Sequence, residues 1–189
     1  ISNALRSFRF ANAGDRFKMR EISNYGILEI NTDASFQGCE NMTQIATDAP
    51  LISTANLNQT FFSCVIFNGN IGNWDLSNVT SIFRMLGQCR AFNQTLANWD
   101  VSKVTEMGQL FFFTSNLSIL DVSNWNVAKV TSLNSCFVLS NSNPDVTNWN
   151  TFALIDAQGC FDRALNFNRN MAGWNITKIT GLGSFLNAV

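Results

Sequence analysis

Residues 67–107 read FNGNIGNWDLSNVTSIFRMLGQCRAFNQTLANWDVSKVTEM. Within this stretch Phe67 and Phe92, Trp74 and Trp99, Asp75 and Asp100, Val79 and Val104, and Thr80 and Thr105 are each 25 residues apart. Several columns agreeing in one register signal an internal repeat, and a repeat must be recognised before any local structure is assigned.

The register extends in both directions. Trp125, Trp149 and Trp174 continue the tryptophan column at spacings of 26, 24 and 25. Leu86, Phe111, Phe137, Phe161 and Leu186 form a second large apolar column, which Phe36 and Phe61 carry back beyond the first tryptophan. Cys39, Cys64 and Cys89 repeat at the same interval. Asn73, Asn98, Asn124 and Asn148 precede tryptophan, and Asp75, Asp100, Asn126, Asn150 and Asn175 follow it.

Apolar positions at 0, 2, 5, 8 and 12 residues from each tryptophan fit neither one long helix nor one long strand. They fit a coil with a short extended piece, expected around Val79–Ile82, and a tight helical turn, expected around Phe83–Cys89. A 25-residue unit cannot bury its own apolar face, but a stack of units can. The expected fold is therefore a repeat solenoid, leucine-rich-repeat-like, of short parallel strands and short helical turns with about 25 residues per coil. Residues 29–189 would hold about six repeats. Residues 1–28 lack the columns and carry more charge, which suits an N-terminal cap or linker. Leu186 occupies a core column three residues before the last residue, so the array is expected to continue or to be capped by a partner or a further domain.

Composition narrows the function. Only 13% of the 189 residues are charged and the formal net charge is −1. Nucleic acid is an unsuitable partner, because phosphate recognition needs clustered Lys and Arg. No apolar run approaches a membrane span. Polarity comes from 26 Asn, 17 Ser and 14 Thr. With no histidine, the histidine-based nucleophile systems are absent. Asp75 and Asp100 are the nearest thing to a carboxylate pair or a calcium site, but the same column holds Asn in three units, which points to turn acceptors. Cys39, Cys64 and Cys89 would stack on one line, which is no tetrahedral metal site. They read as buried thiols or, alternatively, as a bridged pair. The expectation is a non-enzyme with no cofactor and no metal.

The stretch Phe67–Met107, together with SFQGCENMTQIATDAP at Ser35–Pro50, resembles the BspA-like bacterial surface-protein repeat family, leucine-rich-repeat-like and also seen in Mycoplasma-type lipoproteins. That resemblance implies an extracellular, cell-surface adhesion or recognition module that binds a protein or glycan on a host or neighbouring cell. The low charge and the expected open end suggest an alternative, a structural or receptor-binding component of an assembly such as a phage fibre or surface filament. That alternative implies self-association and a virion surface.

Two sets of residues are candidates for binding. The column Trp74, Trp99, Trp125, Trp149 and Trp174 is either core or an exposed platform for sugar rings. The second set lies where the repeats disagree. Phe112 and Phe113, then Val138 and Leu139, stand where neighbouring units have Gly87–Gln88 and Asp162–Arg163, and Phe152 stands where others have Ser, Ala or Thr. These five either form an outward apolar patch for a partner or fill core displaced by the 26-residue unit.

Overall fold

The computed structural model describes residues 9–187. A 3₁₀ turn at Arg16–Lys18 precedes four two-residue strands. These are β1 (Glu21–Ile22), β2 (Glu29–Ile30), β3 (Thr43–Gln44) and β4 (Leu51–Ile52). β1 pairs with β3 and β2 with β4, both parallel. Beyond residue 52 the parallel pairing continues one residue per coil, through Asn56, Ser81, Glu106, Ser132, Asp156 and Gly181. The extended piece expected at Val79–Ile82 is thus narrowed to a bridge at Ser81.

The helical turn expected at 83–89 is replaced by a different device. No α-helix occurs among the described residues. Each coil from Ala34 to Arg163 carries two left-handed residues four positions apart, such as Arg84 (φ 57°) and Gln88 (φ 62°), Gln109 (56°) and Phe113 (62°), and Ser135 (53°) and Leu139 (54°). Left-handed residues cannot continue a right-handed helix. They make the main chain zigzag, so that alternate N–H groups point in opposite senses. Met85, Gly87 and Cys89 donate back within the coil, to Ile82, Arg84 and Leu86. Ile82, Arg84, Leu86 and Gln88 donate forward, to the carbonyls of Glu106, Gly108, Leu110 and Phe112 at 2.6–3.2 Å.

This forward set of four recurs from Leu57 through Arg163, with the offset shifting only where a unit gains or loses a residue. Gln109 donates to Asn134 and Phe113 to Val138 across the 26-residue unit. Main-chain register is therefore kept there, and the extra residue falls between Leu117 and Val122, where Leu120 is buried. Residues ahead of the aromatic columns stack in the same way: Phe10 and Asn12 donate to Ser35 and Gln37. Of the expected cap, residues 1–8 lie outside the described residues.

Inside the stack, side chains meet their counterparts one coil away. Phe36 and Phe61 stack with centroids 5.2 Å apart, as do Phe137 and Phe161. Offset stacking adds about 0.5–1.5 kcal/mol per pair beyond the area buried. Asparagine supplies the polar counterpart at the coil edges. Asn93 accepts the N–H groups of Ser118 and Ile119, and Asn68 that of Asn93. These amides satisfy turn backbone that would otherwise lack a partner.

Candidate functional site

The tryptophan column lies in the core. All five are at most 8% exposed. Trp99, Trp125, Trp149 and Trp174 each donate Nε1–H to a carbonyl of the preceding coil, at 2.8–3.1 Å. A ring whose faces stack on neighbours 6.0–6.4 Å away, and whose one donor is used, has no face for a sugar.

Asp75 and Asp100 act as turn acceptors. Each takes the N–H two residues on, at 2.9 and 3.0 Å, as Asn126 and Asn150 do in the same column. The hydroxyl, then the N–H, of Ser77 and Ser102 hold the two carboxyls below their ordinary range. No cluster of three metal-ligating side chains occurs among the described residues. The five cysteines are buried and unbridged. Cys64 and Cys89 donate Sγ–H to the carbonyls of Phe36 and Phe61, and burial pushes the Cys39 thiol up to about 12.

Of the five apolar residues singled out by the repeat comparison, Phe112 and Val138 line one groove, and Phe152 stands apart from them. Val138 is buried, at 6% exposure. Phe152 is 56% exposed but stands in the turn after Trp149, with Lys178 Nζ 3.9 Å above its ring. Phe112 and Phe113 are half-buried and adjacent, their centroids 5.2 Å apart, and Leu139 is half-buried in the coil that follows.

Phe112 and Phe113 instead join rings from the two preceding coils. Phe62 and Phe83 are half-buried, with the Arg84 guanidinium 5.4 Å from one centroid and 5.1 Å from the other. Gln109 Oε1 accepts from Arg84 Nε at 2.6 Å, and Arg90 sits 6.0 Å from the Phe113 centroid. Gly87 lies one coil after Phe62 and one coil before Phe112. A β-carbon built there would come within 3.0 Å of the Phe62 ring. The glycine thus makes room for the Phe62 ring, which packs over it. Beyond Phe112 the strip sinks into a groove of about 360 Å³, with Ser135, Val138, Gly159, Asp162 and Arg163 among its lining.

Sequence comparison of adjacent units misses Phe62, Phe83 and Arg84. The signal was present in the spacing: Phe62 and Phe112 occupy one column two units apart, and Gly87 between them made the column look interrupted.

The molecule is thus of the stacked-coil class, with a buried aromatic interior and one lateral strip of half-buried rings. The chain belongs to the family described as Mycoplasma protein of unknown function, DUF285, whose model matches residues 30–137 and again 96–188. No curated protein and no solved structure matched the chain.

Proposed function

We propose that the chain is a leucine-rich-repeat-like solenoid of the BspA-like kind, serving as a surface-exposed recognition or adhesion module without catalytic activity. The observation that carries this reading is the strip formed by Phe62, Phe83, Arg84, Phe112 and Phe113. Every coil here has a complete core, with Phe61, Leu86 and Phe111 fully buried beneath the strip, so these rings are not needed to fill it. Aromatic and arginine side chains on a rigid support are what protein interfaces concentrate their binding energy on. The support is rigid because four forward main-chain bonds tie each coil to the next directly along the strip. The surface location follows from the resemblance of Phe67–Met107 to the BspA-like repeat family.

The test is binding of the labelled chain to cultured epithelial cells, alongside a Phe62→Ser/Phe112→Ser double variant of unchanged thermal stability. Saturable binding by the parent chain, lost in the variant, is the expected result. Equal binding by both would discard the strip as the recognition surface, and binding by neither would discard adhesion to such cells.

A further inference from the structure

We infer that the strip's occupant is an acidic protein segment, one that presents a carboxylate beside an aromatic or apolar side chain. The inference deepens the recognition reading above and rests on it.

Charge carries the first half of the argument. The strip positions of its three central coils are Asn58, Gln59, Phe62 and Ser63, then Phe83, Arg84, Gly87 and Gln88, then Gly108, Gln109, Phe112 and Phe113. They contain one cation, and Arg90 adds a second at the Phe113 edge; the flanking Glu106 carboxylate is taken by the Gly108 N–H at 2.6 Å, and Asp162 lies in the groove beyond Phe112. Neither arginine pairs with a carboxylate among the described residues. An arginine surrounded by rings and amides is incomplete in a way that a surface ion pair is not.

Geometry carries the second half. The Arg84 guanidinium is held by two rings and by Gln109, which takes Nε and leaves the terminal nitrogens without a hydrogen-bond partner among the described residues. A planar guanidinium fixed in direction presents two parallel N–H groups, the arrangement that a carboxylate accepts with both oxygens. Beside it, in the next coil, the adjacent half-buried rings of Phe112 and Phe113 offer an apolar face. A carboxylate on Arg84 with an aromatic or apolar side chain against Phe112 and Phe113 satisfies both features at once. Two cations among four rings are too few for a polyanion such as a sulfated glycan, whose binding rests on many charges rather than on apolar contact.

The experiment measures binding of the whole chain to an immobilised random copolymer of glutamate and tyrosine, with a lysine–tyrosine copolymer and heparin as comparators. The parent chain is expected to bind the acidic copolymer alone, and more weakly as salt rises. Arg84→Gln and Arg84→Lys should each weaken binding about tenfold or more with the melting temperature unchanged, since lysine keeps the charge but not the fork. Arg90→Gln, at an exposed position with no side-chain hydrogen bond among the described residues, gives a smaller loss and decides the matter should Arg84→Gln melt early. The inference is overturned if the acidic copolymer does not bind or the lysine copolymer binds equally. It is also overturned if the arginine variants bind like the parent, or if heparin binds more tightly through Arg84. Cell binding without copolymer binding would leave the recognition reading standing and remove only the acidic partner. Copolymer binding without cell binding would leave the acidic partner standing and discard only adhesion to such cells.

Discussion

Trp99 donates its indole N–H to the carbonyl of Ile71, 28 residues earlier, at 2.8 Å. Its counterpart one coil before, Trp74, is buried with no acceptor among the described residues. The carbonyl that would serve it by register, that of Ala46, takes the side-chain amide of Gln44 instead, and Gln44 also accepts the Tyr25 hydroxyl at 2.7 Å. The regular ladder of tryptophan bonds therefore begins only with the second tryptophan.

This asymmetry makes the tryptophans unequal. Trp99→Phe should destabilise the chain by about 1 kcal/mol more than Trp74→Phe, because only the former gives up a hydrogen bond. Urea unfolding of both variants followed by circular dichroism measures the difference. Equal losses would mean that the indole N–H bonds add nothing beyond packing.

The left-handed column provides a backbone test. Gly159 has φ +62°, and a β-carbon there would meet nothing closer than 3.4 Å. Gly159→Ala should therefore cost about 1 kcal/mol from conformation alone. Ser135 holds the same position one coil earlier at φ 53°, so Ser135→Gly should stabilise by up to about 1 kcal/mol. Opposite signs for the two changes are the expected outcome in thermal melts. Shared signs would mean that these positions are not left-handed in solution.

Acid should loosen the turns. The N–H groups of Tyr25 and Gly26 hold Asp48 below its ordinary 3.8, and the N–H and hydroxyl of Ser123 do the same for Asp121. A carboxyl whose folded pKa is depressed stabilises the fold above its unfolded value and loses that contribution as pH falls through the folded value. The same sign holds for Asp75, Asp100 and Asp145. The melting temperature should be level above about pH 5 and fall below about pH 4. Asp100→Asn, whose amide oxygen accepts the same bond as Asn126 does, should blunt that fall. A melting temperature unmoved by acid would show that these turn bonds are as strong to a neutral carboxyl.

Thiol chemistry should be silent in the native state. Burial raises Cys39, Cys64, Cys89, Cys136 and Cys160 alike, leaving little thiolate to react. Ellman's reagent should titrate no thiol promptly in buffer and five in denaturant, with no effect of reductant on melting. A shortfall in denaturant would reveal a bridge.

What the sequence discloses depends on how narrowly each position is constrained. A stacked interior demands a large apolar side chain at the same place in every coil, so Phe61, Phe111 and Trp99 announce themselves by spacing. The turn segment is different. Its two left-handed positions are filled mostly by Gln, Arg, Ser, Phe and Leu, with glycine at Gly38 and Gly159, so no residue type marks them. The register forces them, and the cost is spread over four main-chain bonds per coil. Hence Phe83–Cys89 reads as a helical turn until the backbone is seen. The strip was half legible. Phe112 and Phe113 stand out against Gly87 and Gln88 next door, but pairing Phe112 with Phe62 needs the geometry of Gly87 between them. Val138, a plausible surface residue by the same comparison, is drawn inward with no change of main-chain register.

The forward donation of four N–H groups per coil has an electrical consequence. Peptide dipoles that align add, and here they align along the stacking axis with more bonds running forward than back. The sum has its positive pole toward the C-terminal coils, the reverse of an α-helix. The stack is therefore polarised end to end although its formal charge is near zero.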